Sequence, residues 1–233
     1  IIDFQPDVVI LIDYPGFNLR IAKFLAKQKI KVFYYISPQV WAWHSSRIKQ
    51  IKAFVNEMFV ILPFEKDFYA THNFNVHYLG HPLLEATKKY TVDTEFISRN
   101  NLSDLPIIAI LPGSRKQELE NMLKVMLQVA KSLNDYQCVI AGVEHLKPLY
   151  GDICKVQNVK IVYNQTYSLL AHSFAAMVTS GTATLEAALF NVPQVVCYKG
   201  NYISYLIAKH LIKNIQYISL VNLIADKKVV LEL

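Results

Sequence analysis

No apolar run in this chain approaches the roughly 18–20 residues that a membrane-spanning helix requires. The longest candidate, Val8-Val9-Ile10-Leu11-Ile12, stops at Asp13. A helical span is therefore excluded, although 53% of the 233 residues are hydrophobic and the mean hydropathy is +0.23. Cysteine is scarce. Cys138, Cys154 and Cys197 lie far apart and form no CxxC pair, so buried thiols in a reducing compartment are expected. His72, His77 and His81 lack HExxH spacing and nearby Cys ligands, which leaves no metal centre to expect. Walker A, GxGxxG and GxSxG patterns are all missing, arguing against P-loop, dinucleotide and nucleophile-elbow chemistry. No cofactor is expected. Charged residues make up only 18% and the net charge is +6, with no nucleic-acid-binding module. That balance suits contact with an anionic membrane surface. Composition alone favours a well-packed α/β core with ordinary basic faces. The opening Ile-Ile-Asp-Phe-Gln-Pro is not a signal peptide, and both ends read as cut from a longer protein.

What is present is alternation. Strand-length apolar runs are read at Val8–Ile12, Lys31–Ile36, Met58–Leu62, Val76–Leu79, Pro106–Leu111, Gln137–Ala141, Val159–Val162, Ala175–Val178 and Gln194–Tyr198. Helical periods are read at Leu19–Gln28, Arg47–Val55, Glu65–Thr71, Lys116–Leu133, Ser168–Ala171, Thr182–Phe190 and the aromatic-rich Tyr202–Ile212. This pattern predicts parallel sheets covered by helices. The polar, aperiodic stretch 85–104 is read as a connecting segment between domains 1–84 and 105–233. The expected class is α/β, two Rossmann-like domains with a cleft between them.

Several strand-to-helix turns could carry chemistry. Ser180-Gly181-Thr182-Ala183-Thr184-Leu185-Glu186 presents backbone N–H groups and hydroxyls where a phosphate can sit. Glu186, one turn on, could hold a vicinal diol, so the pair suggests a nucleotide or nucleotide-sugar. Leu111-Pro112-Gly113-Ser114-Arg115-Lys116-Gln117-Glu118 is a second such turn, with Arg115 as a planar charge donor. Ser114 with Gln117 also fits a plain capping box. In Ile12-Asp13-Tyr14-Pro15-Gly16-Phe17-Asn18, Asp13 ends what reads as a buried parallel strand, where ligands of open α/β sheets bind. Its carboxylate can accept a proton or simply order the turn, and Asn18 is read as a helix cap. Trp41 and Trp43, the only tryptophans, sit in Ser37-Pro38-Gln39-Val40-Trp41-Ala42-Trp43-His44 and suit a sugar or acyl pocket wall or core filler. Arg47, Lys49 and Lys52 form a basic helix face.

Together these segments resemble lipid-A-disaccharide synthase, an inverting glycosyltransferase of the GT-B fold. The matching runs also include Leu62-Pro63-Phe64-Glu65, Gly80-His81-Pro82 and Ser219-Leu220-Val221-Asn222-Leu223, in the family's order across nearly the whole chain. Ser-Pro-Gln-Val-Trp-Ala-Trp is the most specific of them. The resemblance implies condensation of UDP-2,3-diacylglucosamine with 2,3-diacylglucosamine 1-phosphate (lipid X), giving lipid A disaccharide 1-phosphate and UDP. It implies Asp13 as general base and Arg115 as stabiliser of charge on the diphosphate. Gly113, Ser114, Arg115, Ser180, Gly181, Thr182, Glu186 and Asn222 would bind the nucleotide-sugar, and Asn18, Trp41 and Trp43 the acceptor and its acyl chains. Neither metal nor cofactor is implied. The expected place is cytoplasmic, peripheral at the inner-membrane surface, with no nucleic-acid partner. The family's Ser-Gly-Asp loop precedes the first matching residue, and its C-terminal end, exchanged between subunits of a homodimer, follows the last. These residues alone are therefore expected to be inactive. An epimerase or muramoyl-lipid transferase of the same fold would share the Glu186 turn but lack Trp41-Ala42-Trp43. A non-catalytic nucleotide- or membrane-binding module would tolerate loss of Asp13.

Overall fold

The computed structural model describes residues 1–41, 46–151, 159–179, 181–198 and 217–233. Trp43, Cys154, Ser180 and the expected helix Tyr202–Ile212 lie outside the described residues. The chain divides into two compact units, one holding Ile1–Pro82 and the other beginning at Leu83.

The first unit runs β1 (Val8–Ile12), α1 (Pro15–Lys27), β2 (Lys31–Tyr35), α2 (Arg47–Phe54), β3 (Glu57–Val60), α3 (Pro63–Thr71) and β4 (His77–Tyr78). Its strands are parallel in the order β1-β2-β3-β4. Apolar side chains of α1 at Leu19, Ala22 and Leu25 and of α2 at Ile48 and Ile51 close over Val32, Tyr34, Met58 and Val60. A fully buried leucine such as Leu25 contributes about 1.5–3 kcal/mol by leaving water. Helix α1 begins four residues earlier than its apolar period suggests. Pro15 supplies the fixed φ of a first helical residue and lacks an N–H that would have no partner there. Strand β1 differs from the expected buried strand: Leu11 is inside, but Ile10 and Ile12 are 59% and 57% exposed. It is the edge strand of its sheet, and the described residues cover one of its faces.

The second unit opens with α4 (Pro82–Lys88) and α5 (Phe96–Arg99), so the stretch read as a connector is folded. Phe96, at the start of α5, is fully buried and anchors that stretch to the unit's core. Then follow β5 (Ile107–Leu111), α6 (Lys116–Ala130), β6 (Gln137–Gly142), α7 (Lys147–Tyr150), β7 (Val159–Tyr163), α8 (Thr166–Ala171), β8 (Ser173–Thr179), α9 (Thr182–Leu189), β9 (Gln194–Cys197), α10 (Leu220–Ala225) and β10 (Leu231–Glu232). All six strands are parallel, ordered β10-β9-β8-β5-β6-β7. Strand β5 is apolar throughout and buried on both faces. Ile108 and Ile110 meet α6, while Ile107, Ala109 and Leu111 meet the α8 and α9 side. This strand order reverses direction between β5 and β8, and α/β sheets bind ligands at such a reversal, beyond the carboxyl ends of the strands.

Candidate functional site

The two glycine turns follow β5 and β8, so they stand side by side at the reversal. Buried Thr179, the last residue of β8, donates its hydroxyl to the Leu111 carbonyl at 2.8 Å and ties the two strand ends together. Gly113 and Gly181 both take left-handed backbone, at φ +106° and +127°, which side chains avoid.

The turns differ in what their amides face. At the start of α6 the Glu118 carboxylate reaches back, and its Oε2 accepts from Ser114 N at 3.1 Å and Arg115 N at 3.3 Å. The capping pair is thus Arg115 and Glu118, one residue later than the Ser114–Gln117 box expected from the sequence. Helix α3 is closed in the same way by Glu65, whose Oε2 accepts from Leu62 N at 2.9 Å and Ile61 N at 3.2 Å. At α9 the corresponding third residue is Thr184, whose hydroxyl donates to the Gly181 carbonyl at 2.8 Å. No described side chain caps α9, no acid lies in its first turn, and a Cβ on Gly181 would meet no atom within 4 Å. Among the described residues no side chain therefore takes its first amides, an end whose dipole suits an anion. Exposed Thr182 stands at this end, and Arg115, with its side chain 83% exposed, ends the neighbouring turn.

Glu186 points elsewhere from the α9 turn. With Tyr90, Asn164, Gln165, Thr166, Tyr167 and Ser168 it lines a cavity of about 450 Å³ at the carboxyl end of β7. Burial pushes its carboxyl above the ordinary value. Tyr167 is also pushed up, by burial first and then by the Glu186 charge. Tyr90, Tyr167 and Phe190 pack at 5.2–5.7 Å between ring centroids, and Tyr90 donates to Ser168 Oγ at 2.9 Å. Asn164 is left-handed at φ 55°, and Gln165 exchanges hydrogen bonds with Asn100. The result is a pocket with an aromatic wall, several polar groups and one carboxylate. Glu186 is legible in the sequence but its companions are not, because Asn164–Ser168 form no motif. A polar run between a strand and a helix was their only signal.

Asn222 occupies a different place from the one expected. It is fully buried, and all its amide positions are used: Nδ2 donates to Val230 O at 2.9 Å and Glu232 Oε1 at 2.8 Å, while Oδ1 accepts from Val229 N at 2.7 Å and Val230 N at 2.9 Å. Nothing remains for a ligand, so Asn222 shapes the loop leading to β10 and, through α10, packs on α9. Ser219 caps α10 by accepting from Asn222 N and donates to Glu232 Oε1 at 2.7 Å.

In the first unit Asp13 and Tyr14 both adopt left-handed backbone at φ 45°, a costly pair that persists only when neighbours hold it. Tyr34 does so, donating to the Asp13 carbonyl at 2.6 Å, and buried Asn18 donates to Ile12 O and Asp13 O at 2.9 and 2.7 Å. Asn18 lies inside α1 and braces the turn from beneath; it neither caps the helix nor faces out to an acceptor. Burial first, then the Asp13 charge, raises the Tyr34 hydroxyl, which stays protonated as a donor. The Asp13 side chain is exposed and takes no hydrogen bond from the described residues. Trp41 is half-buried and packs edge-on against Phe64 at 5.0 Å.

A family profile described as lipid-A-disaccharide synthetase matches residues 1–233. The lipid-A-disaccharide synthase of Syntrophus aciditrophicus is 42% identical over 98% of the chain, and that of Coxiella burnetii 40% identical over 98%. The chain spans about three-fifths of these relatives' length, 62% in each case. Among solved structures, a UDP-GlcNAc 2-epimerase from Neisseria meningitidis bound to UDP-GlcNAc matches with a TM-score of 0.64 at 18% identity, over 96% of this chain and 68% of that one. A UDP co-structure of MnaA from S. aureus matches at 0.63 and 12% identity, over 96% and 66%. Identities this low carry the fold alone, and the fold is GT-B: two parallel-sheet α/β units. The chain belongs to the lipid-A-disaccharide synthetase family.

Proposed function

We propose, with that membership as premise, that the chain carries glycosyl transfer from UDP-2,3-diacylglucosamine to 2,3-diacylglucosamine 1-phosphate. The observation that carries the reading is the second unit's pairing of a helix N-terminus at Gly181–Thr182, capped by no described side chain, with the Glu186 cavity. The diphosphate would lie on the α9 amides with Ser180 and Thr182, facing the guanidinium of Arg115. The ribose diol would take the Glu186 carboxylate, and the base would stack in the Tyr167 cavity. Asp13 of the first unit is the proposed general base. As the acceptor's 6-hydroxyl oxygen attacks the anomeric carbon, its proton passes to the Asp13 carboxylate. The bond from that carbon to the diphosphate oxygen breaks, and UDP leaves with the electron pair. Attack from the face opposite the leaving group inverts the centre and gives a β-1,6 link. A strained, exposed turn suits a general base, because it projects the carboxylate outward without a competing hydrogen bond from the described residues.

The acyl chains place the reaction at a lipid surface, and we propose peripheral contact with the anionic face of the cytoplasmic membrane. No helix among the described residues is long and apolar enough to cross a membrane. Helix α1 supports surface contact. Its outward face carries Phe17 and Phe24, 55% and 43% exposed, beside exposed Arg20, Lys23 and Lys27, and the helix has no acid. The Arg47, Lys49 and Lys52 face is less free, since Lys52 donates to His72 O at 2.8 Å.

The deciding experiment supplies both acylated sugars to the chain joined to the remaining two-fifths of the family's length, and to the same protein with Asp13→Asn. Disaccharide and UDP are expected from the first, and a rate lower by about 10²–10⁴ from the second. Equal rates would remove Asp13 from the mechanism. If UDP binds but no transfer occurs even with the remaining two-fifths of the family's length supplied, the chain is a nucleotide-binding module.

A further inference from the structure

Arg115 and Glu118 mark a glycine turn that the chain braces with its own carboxylate. Glu118 takes the Ser114 and Arg115 amides, the two just before the first helical residue of α6, and its Oε1 lies 3.5 Å from Arg115 Nη1. Gly113 fits around it: a Cβ there would stand 2.5 Å from Glu118 Oε2 and 2.6 Å from Glu118 Cβ. Glycine is thus required twice, once by φ +106° and once by the seat of the glutamate. A phosphate approaching these amides would find them spent and would meet a carboxylate of like charge.

We propose that Glu118 is a positioning residue for donor binding: by holding the Ser114 and Arg115 amides it fixes where the Arg115 guanidinium projects. The proposal rests on the nucleotide-sugar reading of this site. With its amide bonded to Glu118, Arg115 is held in extended backbone at φ −107° and ψ 146°, and its side chain projects into solvent. The neighbouring α9 turn, which has no such glutamate, supplies the amides. The two turns then divide the diphosphate between fixed dipoles and a mobile charge.

Calorimetric titration of the chain with UDP tests this through a double-mutant cycle. Arg115→Ala is expected to weaken UDP about tenfold, the loss of one charge-assisted contact. Glu118→Ala is expected to do nearly the same, and the double variant to be no worse than Arg115→Ala. Glu118→Gln should keep most of the affinity, because its amide oxygen still accepts from both N–H groups. Gly113→Ala, which pushes Glu118 off its seat, should behave like Glu118→Ala. Two results overturn the proposal: tighter UDP binding by Glu118→Ala, which would make the carboxylate a competitor, or losses that add in the double variant, as general damage to the fold would. If the unaltered chain binds no UDP, the nucleotide reading falls, and this role with it. If UDP binds and Arg115→Ala weakens it without coupling to Glu118, only this inference falls.

Discussion

Replacing Asn222 by Ala separates a scaffold from a ligand contact. The change deletes four side-chain hydrogen bonds of a fully buried residue. At about 0.5–1.5 kcal/mol net for each, the sum is about 2–6 kcal/mol. Val229 is 55% exposed, so the freed amides there regain water, and the lower half of that range, about 3 kcal/mol, is expected. The loss is local, so the assay is hydrogen exchange at Val229 and Val230. A change of about 3 kcal/mol in local opening speeds their exchange roughly 100-fold. Glu232 adds a pH signature. Burial raises its carboxyl, but the Ile218 and Ser219 amides, the Ser219 hydroxyl and Asn222 outweigh burial and hold it below the usual carboxylate range. A group lowered on folding contributes stability above its unfolded value, and that stability is lost as pH falls through the folded value. Without Asn222 one of those bonds is gone, so loosening should begin at a higher pH. Unchanged protection at residues 229 and 230 together with lost UDP binding would refute the reasoning and return Asn222 to the ligand.

Glu186 gives a second pH test. Its carboxyl is raised by burial, so the ionised form proposed to hold a diol is lost at a pH above the ordinary carboxyl value of 4.5. UDP affinity should fall on acidification along that limb, and Glu186→Gln should abolish the limb. For the same reason stability is present below the unfolded value and lost as pH rises through the folded one, so Glu186→Gln should raise the melting temperature at neutral pH while weakening UDP. Tyr34→Phe removes a 2.6 Å bond to the Asp13 carbonyl and should cost about 1–2 kcal/mol in urea unfolding; no loss would mean that Asn18 alone holds the turn. Reversing Arg20, Lys23 and Lys27 to Glu should reduce binding to vesicles rich in anionic lipid more than reversing Arg47, Lys49 and Lys52. The opposite order would move the contact to α2.

Much of this molecule can be read from its residues before any folding. Alternating runs give parallel strands and helices because a strand buried on both faces must be apolar throughout, as Ile107–Leu111 is. The glycines at 113 and 181 mark turns because their backbone leaves little choice. The motifs named the family, and the family model bears that out. Partners distant in sequence were beyond such reading. Asn164–Ser168 joins Glu186 in one cavity only because β7 and α8 bring it there. The buried bonds of Asn222 depend on how the chain returns to β10 ten residues later. Two turns that look alike in sequence also part company in three dimensions: Glu118 braces one, while no described side chain caps the other at Gly181. Residue type sets which groups can bind a phosphate, but an amide already bonded within the fold is closed to it. Only the packed backbone decides which amides those are.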